Sequence, residues 1–242
     1  MLFFFLFSPP QNTLVAPEAV VWFQKGEELI GTDQAFSDQQ AHFFEKALDI
    51  EPDFAPALFN LGLIYLHQGK LEGALENLDR LIRIEPENDR AYSLRVEAHL
   101  GKEDLASAQA DIDQLKQLAP QNSSTWQESG RLHYRQDRMS EAVADFEKAL
   151  EFDPDDPDLH LDLALALDQA YRKELATQHY EHFLVHSPED SRANFLLARN
   201  LMLQEEFERA LGYFQTARKL SGPDPELDQN LAYVLLRLER LD

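Results

Sequence analysis

Three histidines stand at spacings of three and four in "HYEHFLVH": His179, His182 and His186. On a helix those spacings bring all three to one side. Imidazoles so placed can share a zinc, nickel or copper ion. A competing reading takes Tyr180 and Phe183 as the buried face, with the histidines along its polar edge. The residues alone leave both open. His99 and His133 share a column with Tyr65, Leu167 and Leu201, where a large packing residue is expected, so they read as core histidines. No other chemistry suggests itself. The chain has no G-x-x-x-x-G-K-[ST], no G-x-G-x-x-G and no H-E-x-x-H. It has no cysteine, which excludes disulfides and thiolate metal sites and leaves the redox compartment open. Neither an enzyme nor a cofactor is expected.

Charge narrows the partners. The 242 residues include 44 acids and 22 bases, a net charge of -22. Phosphate backbones repel such a chain, so no nucleic acid is expected. No apolar run approaches the roughly 18 residues a membrane span needs. Residues 1–18 form an apolar, proline-containing tail. Leu2–Phe7 is followed by Pro9 and Pro10, and the first basic residue is Lys25, so the positive leader of a secretory signal is missing. The tail reads as a disordered segment, as the remnant of an export signal with a misplaced start, or as an aromatic arm docked on the fold. The cytoplasm is the expected location, or the periplasm or exterior if Leu2–Phe7 is such a remnant.

The elements that position these residues follow from a period. Prolines fall at 52, 86, 120, 154 and 188, each 34 residues apart. Alanine recurs in phase at Ala74, Ala108, Ala142, Ala176 and Ala210. Four residues later come Leu78, Ile112, Phe146, Tyr180 and Phe214. Earlier in each unit lie Gly62, Gly130, Ala164 and Ala198, with Val96 as the exception. Apolar residues three and four apart in both halves predict two helices per unit. The proline ends the second helix, and the small columns mark close approach of two helix axes.

These columns resemble the tetratricopeptide repeat family, whose motif runs W-x2-L-G-x2-Y, A-x3-F, then P. Leu58, Leu61, Gly62, Tyr65, Ala74, Leu78 and Pro86 give one copy; Trp126, Gly130, His133, Ala142, Phe146 and Pro154 give another. The resemblance implies an all-α, right-handed superhelical solenoid. Six repeats are expected over 19–54, 55–88, 89–122, 123–156, 157–190 and 191–224, with a C-terminal helix over 225–242. The first departs most. Trp22 and Gly26 fit only if its turn carries two extra residues, and Gln40 takes the alanine column.

The family also implies a scaffold that binds a protein or peptide in a concave groove lined by the first helix of each pair. Carried onto this chain, the groove columns hold Gln127, Arg131, Tyr134 and Arg135, then Asp158, Leu161, Leu165 and Asp168. Arg192, Phe195, Arg199 and Met202 follow, and Gln229, Tyr233 and Arg237 on the last helix. Towards the N-terminus the same columns turn apolar, with Phe59, Leu63 and Leu66. Arginine grips carboxylates in pairs, so the ligand expected is a peptide with acidic and apolar side chains. The arginines can instead pair with acids on neighbouring repeats. The carboxylate-clamp pattern of chaperone-tail binders does not fit: its register offers Phe23, Glu27, Asn60, Arg90 and Leu94. Other readings are a self-assembling structural solenoid and an envelope-associated assembly factor. The stripe Leu227, Leu231, Val234, Leu238 and Leu241 is expected to lie uncovered, marking either a truncated chain or a homodimer contact.

Overall fold

The computed structural model describes residues 15–238, so Leu2–Phe7 and Leu241 lie outside the described residues. Among those described there are thirteen α-helices and no strand. The chain divides into two compact units, Met1–Pro120 and Gln121–Asp242. The first holds α1 (Pro17–Glu27), α2 (Asp38–Ile50), α3 (Ala55–His67), α4 (Leu71–Ile84), α5 (Asp89–Gly101) and α6 (Leu105–Leu118). The second holds α7 (Ser123–Arg135), α8 (Met139–Phe152), α9 (Pro157–Gln169), α10 (Lys173–His186), α11 (Ser191–Leu203), α12 (Phe207–Ser221) and α13 (Pro225–Arg237).

Helices pair into hairpins because small residues let their axes approach. Ala74, Ala108, Ala142, Ala176 and Ala210 are all fully buried. The large residues four positions on are buried as well, and they lie over the small column of the partner helix. A Cβ built on Gly130 would sit 2.5 Å from the Phe146 ring, and one on Gly62 3.1 Å from Leu78. Within each unit every hairpin also packs on the next, as α8 does on α9 and α10 on α11.

Local chemistry sets the ends. The second helices α2, α4, α6, α8 and α10 stop two residues before Pro52, Pro86, Pro120, Pro154 and Pro188. First helices start on side-chain caps at Asn88, Asn122, Asp156, Asp190 and Asp224, again 34 apart. Each such cap is worth about 1 kcal/mol. The residue before the N-cap of α4, α6, α8, α10 and α12 adopts positive φ: Gly69, Glu103, Asp137, Tyr171 and Glu205.

The first hairpin solves its longer turn with a buried side chain. Gln40, 3% exposed, donates from Nε2 to the Gly26 carbonyl at 3.0 Å. Its Oε1 accepts from the Phe36 amide at 2.7 Å. One glutamine thus ties α1, the turn and α2 together where the other hairpins have alanine.

Candidate functional site

In the first unit the predicted groove column is mixed, with Phe59 buried and Leu63 and Leu66 partly open. Phe59 is only 5% exposed, with the Arg90 guanidinium 4.6 Å above its ring. It therefore belongs to the core and not to an open face, a correction to the sequence expectation. Leu63 is half-buried. Nearby, Arg95 donates to Asp111 at 2.8 Å and to Asp79 at 2.7 Å, and the buried Asp111 lies 3.8 Å from His99. In the second unit His133 Nδ1 lies 2.8 Å from Asp145. Both column histidines thus sit on carboxylates within their own hairpins.

In the second unit the first helices α7, α9, α11 and α13 carry the remaining site residues. Gln127 and Arg131 of α7 both donate to Asp162 of α9 at 2.9 Å, and Arg131 also reaches Glu128 at 3.2 Å. Burial pushes the Asp162 carboxyl above its ordinary range, and Arg131 and Gln127 oppose that shift. Arg199 of α11 donates to the buried Asp168 of α9 at 2.7 Å, and Lys173 donates to the same carboxylate. Two of the five arginines are therefore bound to acids on neighbouring helices, the alternative left open by the sequence. Arg135 and Arg192 are exposed and make no ion pair among the described residues.

Arg237 donates to the Tyr233 hydroxyl at 2.8 Å, with its guanidinium 4.6 Å over the Phe207 ring. These three residues border a pocket of about 360 Å³ that also includes Met202 and Leu203. The same first helices also carry apolar side chains. Tyr134, Leu161, Leu165, Phe195 and Met202 pack on the core yet stay partly open to solvent. Their counterparts on the second helices, Phe146, Tyr180 and Phe214, are closed off completely. Second helices also keep apolar side chains partly open, among them Leu150, Leu211 and Tyr213, so the first-helix row is one of two faces with contact area to offer.

The histidines form a larger group than the spacing suggested. His160 of α9, 8% exposed, joins His179, His182 and His186 of α10. Its Nδ1 lies 2.8 Å from Nδ1 of His179, and its ring stacks on His182 at 3.7 Å between centroids. Among the described residues no three His, Asp or Glu side chains are arranged to hold a metal ion. His160 escaped the sequence reading because it lies 19 residues from His179. The usable clue was its place in the aromatic column of Tyr92 and Trp126.

The C-terminal stripe is also corrected. Leu227, Leu231 and Val234 are buried within the second unit, and Leu238 packs against the same core. The 4-3-4 spacing is the seam by which α13 rests on α12 and α11, so among the described residues the stripe is covered. The exposed large apolar residues of α13 are Tyr233 and Leu236 instead.

Comparison with known proteins places these hairpins. Residues 113–227 match the family model described as Cytochrome c-type biogenesis protein H TPR domain. Residues 43–76 match a tetratricopeptide repeat model and 62–102 a TPR repeat model. Sperm-associated antigen 1 of Mus musculus is 40% identical over 47 residues, and the match spans only 5% of that protein. Among solved structures, PilF of Pseudomonas aeruginosa is 20% identical with a TM-score of 0.74, over 89% of this chain and 97% of its own. The APC/C assembly Cut9–Hcn1 is 16% identical at a TM-score of 0.81, over 90% of this chain and 43% of that one. PilW, a type IV pilus biogenesis factor, is 20% identical at 0.67, over 77% and 86%. At these identities the structures share the fold.

Proposed function

Because this chain belongs to the tetratricopeptide repeat family, with an all-α solenoid of helical hairpins, we propose that it is a non-enzymatic scaffold whose first-helix face in the second unit binds a segment of a partner protein. One observation carries this reading. The first helices α7, α9 and α11 carry the partly open Tyr134, Leu161, Leu165, Phe195 and Met202; the exposed Arg135 follows Tyr134 directly, and the exposed Arg192 precedes Phe195 by one turn. Apolar contact area supplies affinity, and exposed cations in a chain of net charge -22 favour acidic side chains on the ligand. Arg131 and Arg199 position α7, α9 and α11 and leave less charge to offer, since Asp162 and Asp168 already hold them.

The test is site-directed photocrosslinking in cells. A benzophenone amino acid at Phe195 is expected to trap a discrete protein partner, and one at Glu147 on α8 is expected not to. Arg135→Glu with Arg192→Glu should remove the Phe195 adduct while helicity stays unchanged. Equal adducts from both positions, or an adduct that survives the charge reversal, would overturn the reading. Reversing Arg199 is the poorer test, because it would set a glutamate against the buried Asp168 and destabilise the fold. The cytochrome c biogenesis family model and the likeness to a pilus biogenesis factor support a second, compatible reading, an assembly factor. It predicts that the trapped partner is a component of a larger complex.

A further inference from the structure

The histidine quartet of the second unit has no part in the binding face, and the contact between the Nδ1 atoms of His160 and His179 is a hydrogen bond only while one of them is bare. His160 Nε2 lies 3.0 Å from the Pro154 carbonyl oxygen, which can only accept, so Nε2 carries the hydrogen. In the neutral ring Nδ1 of His160 is bare and can accept from Nδ1–H of His179 at 2.8 Å. His186 Nδ1 donates to the His182 carbonyl at 3.3 Å. Nδ1 of His182 is buried without a hydrogen-bond partner, and its ring lies against His160.

The preceding hairpin shows what the same positions can hold. One period earlier, Trp126 takes the place of His160 and Lys148 that of His182, with the Lys148 ammonium 3.5 Å over the Trp126 ring. That pair sets a single cation against an indole. In the later hairpin three imidazoles, those of His160, His179 and His182, share the same space.

We propose that the α9–α10 hairpin is an acid-responsive element: proton uptake by His179 and His182, packed on His160, loosens it and disturbs Leu161 and Leu165 of the binding face, which α9 also carries. The consequence for binding rests on the face assigned above; the loosening itself does not. Burial, then His160 and His182, depress the His179 pKa from 6.5 to about 4. Burial, then His160 and His186, lower that of His182, and Asp155 in the turn before α9 opposes them. These are the groups on α9, α10 and the adjoining turn that act on the pair. An unfolded hairpin takes up protons near pH 6.5, and the folded one only at lower pH. Between those values the unfolded state binds more protons. The stabilisation is therefore full above about pH 6.5 and is lost as pH falls towards about 4.

Hydrogen exchange of the full chain, followed by mass spectrometry at several pH values and corrected for chemical exchange rate, tests this without any partner. Protection of α9 and α10 is expected to fall about tenfold or more from neutral pH into that window. Helices α11 and α12, which contain no histidine, should lose much less. His160→Trp combined with His182→Lys, the residues of the preceding hairpin, should flatten the profile. If that pair fails to fold, His179→Gln with His182→Gln should narrow the response. The proposal fails if α9–α10 protection tracks α11–α12 across the range, or if folded variants keep the wild-type pH profile. Because no ligand enters the experiment, its failure would leave the photocrosslinking test of the face untouched.

Discussion

Asn200 is fully buried, and neither Oδ1 nor Nδ2 finds a hydrogen-bond partner. Leaving an amide unsatisfied in the core costs about 1–3 kcal/mol. Ala98 and Ala166 occupy the same column in other hairpins and are equally buried. Asn200→Ala is therefore expected to raise stability by about 1 kcal/mol despite the volume lost, read as a higher urea midpoint with an unchanged slope. Tyr171 offers a second gain. It holds φ 59° and is 86% exposed, so its side chain pays for a left-handed backbone and buries little. That conformation costs about 1–2 kcal/mol for a residue with a Cβ. Glycine returns part of the gain through its freer unfolded chain. Tyr171→Gly should still raise the melting temperature, as Gly69 at the same place in α3–α4 suggests.

At the scale of the helix, one substitution has opposite outcomes at two glycines. A methyl on Gly130 would meet the Phe146 ring at 2.5 Å, and Phe146 is 1% exposed and cannot swing away. Gly130→Ala should then cost about 1–2 kcal/mol through overpacking. The loss should appear in hydrogen exchange of α7, α8 and the adjoining α9, since contacts pass only to neighbours. Gly212 sits within α12 with nothing in reach of an added Cβ. Gly212→Ala there should add about 0.5–1 kcal/mol from helix propensity alone. Equal effects at the two sites, measured by chemical denaturation, would mean that close helix approach does not govern α7–α8.

For the whole molecule the dominant feature is charge. Arg95–Asp111, Arg131–Asp162 and Arg199–Asp168 are partly shielded pairs. The remaining acids mostly face water, and with a net charge of -22 they repel one another. Salt screens that repulsion over a Debye length of about 10 Å at 0.1 M. Exposed ion pairs lose little at the same time. Raising salt from about 0.01 M to about 0.2 M should therefore raise the melting temperature. A fall on calorimetry would mean that the ion pairs outweigh the self-repulsion.

The sequence by itself determined the hairpins. Alanine, large apolar and proline columns recur every 34 residues because each hairpin meets the same close approach and the same stop. Gln40 in an alanine column and two extra residues before it already marked the first hairpin as different. Chain order could not decide which charges remain available. Arg131 and Arg135 lie one turn apart on α7, yet Asp162, 31 residues on, takes the first and leaves the second exposed. Nor could it show that Phe59 lies under Arg90, that His160 completes a histidine cluster, or that Leu227, Leu231 and Val234 form a closed seam. Periodicity reports what every hairpin must share. Exposure and pairing depend on which side chain of a neighbouring hairpin arrives at each position, and only packing in three dimensions settles that.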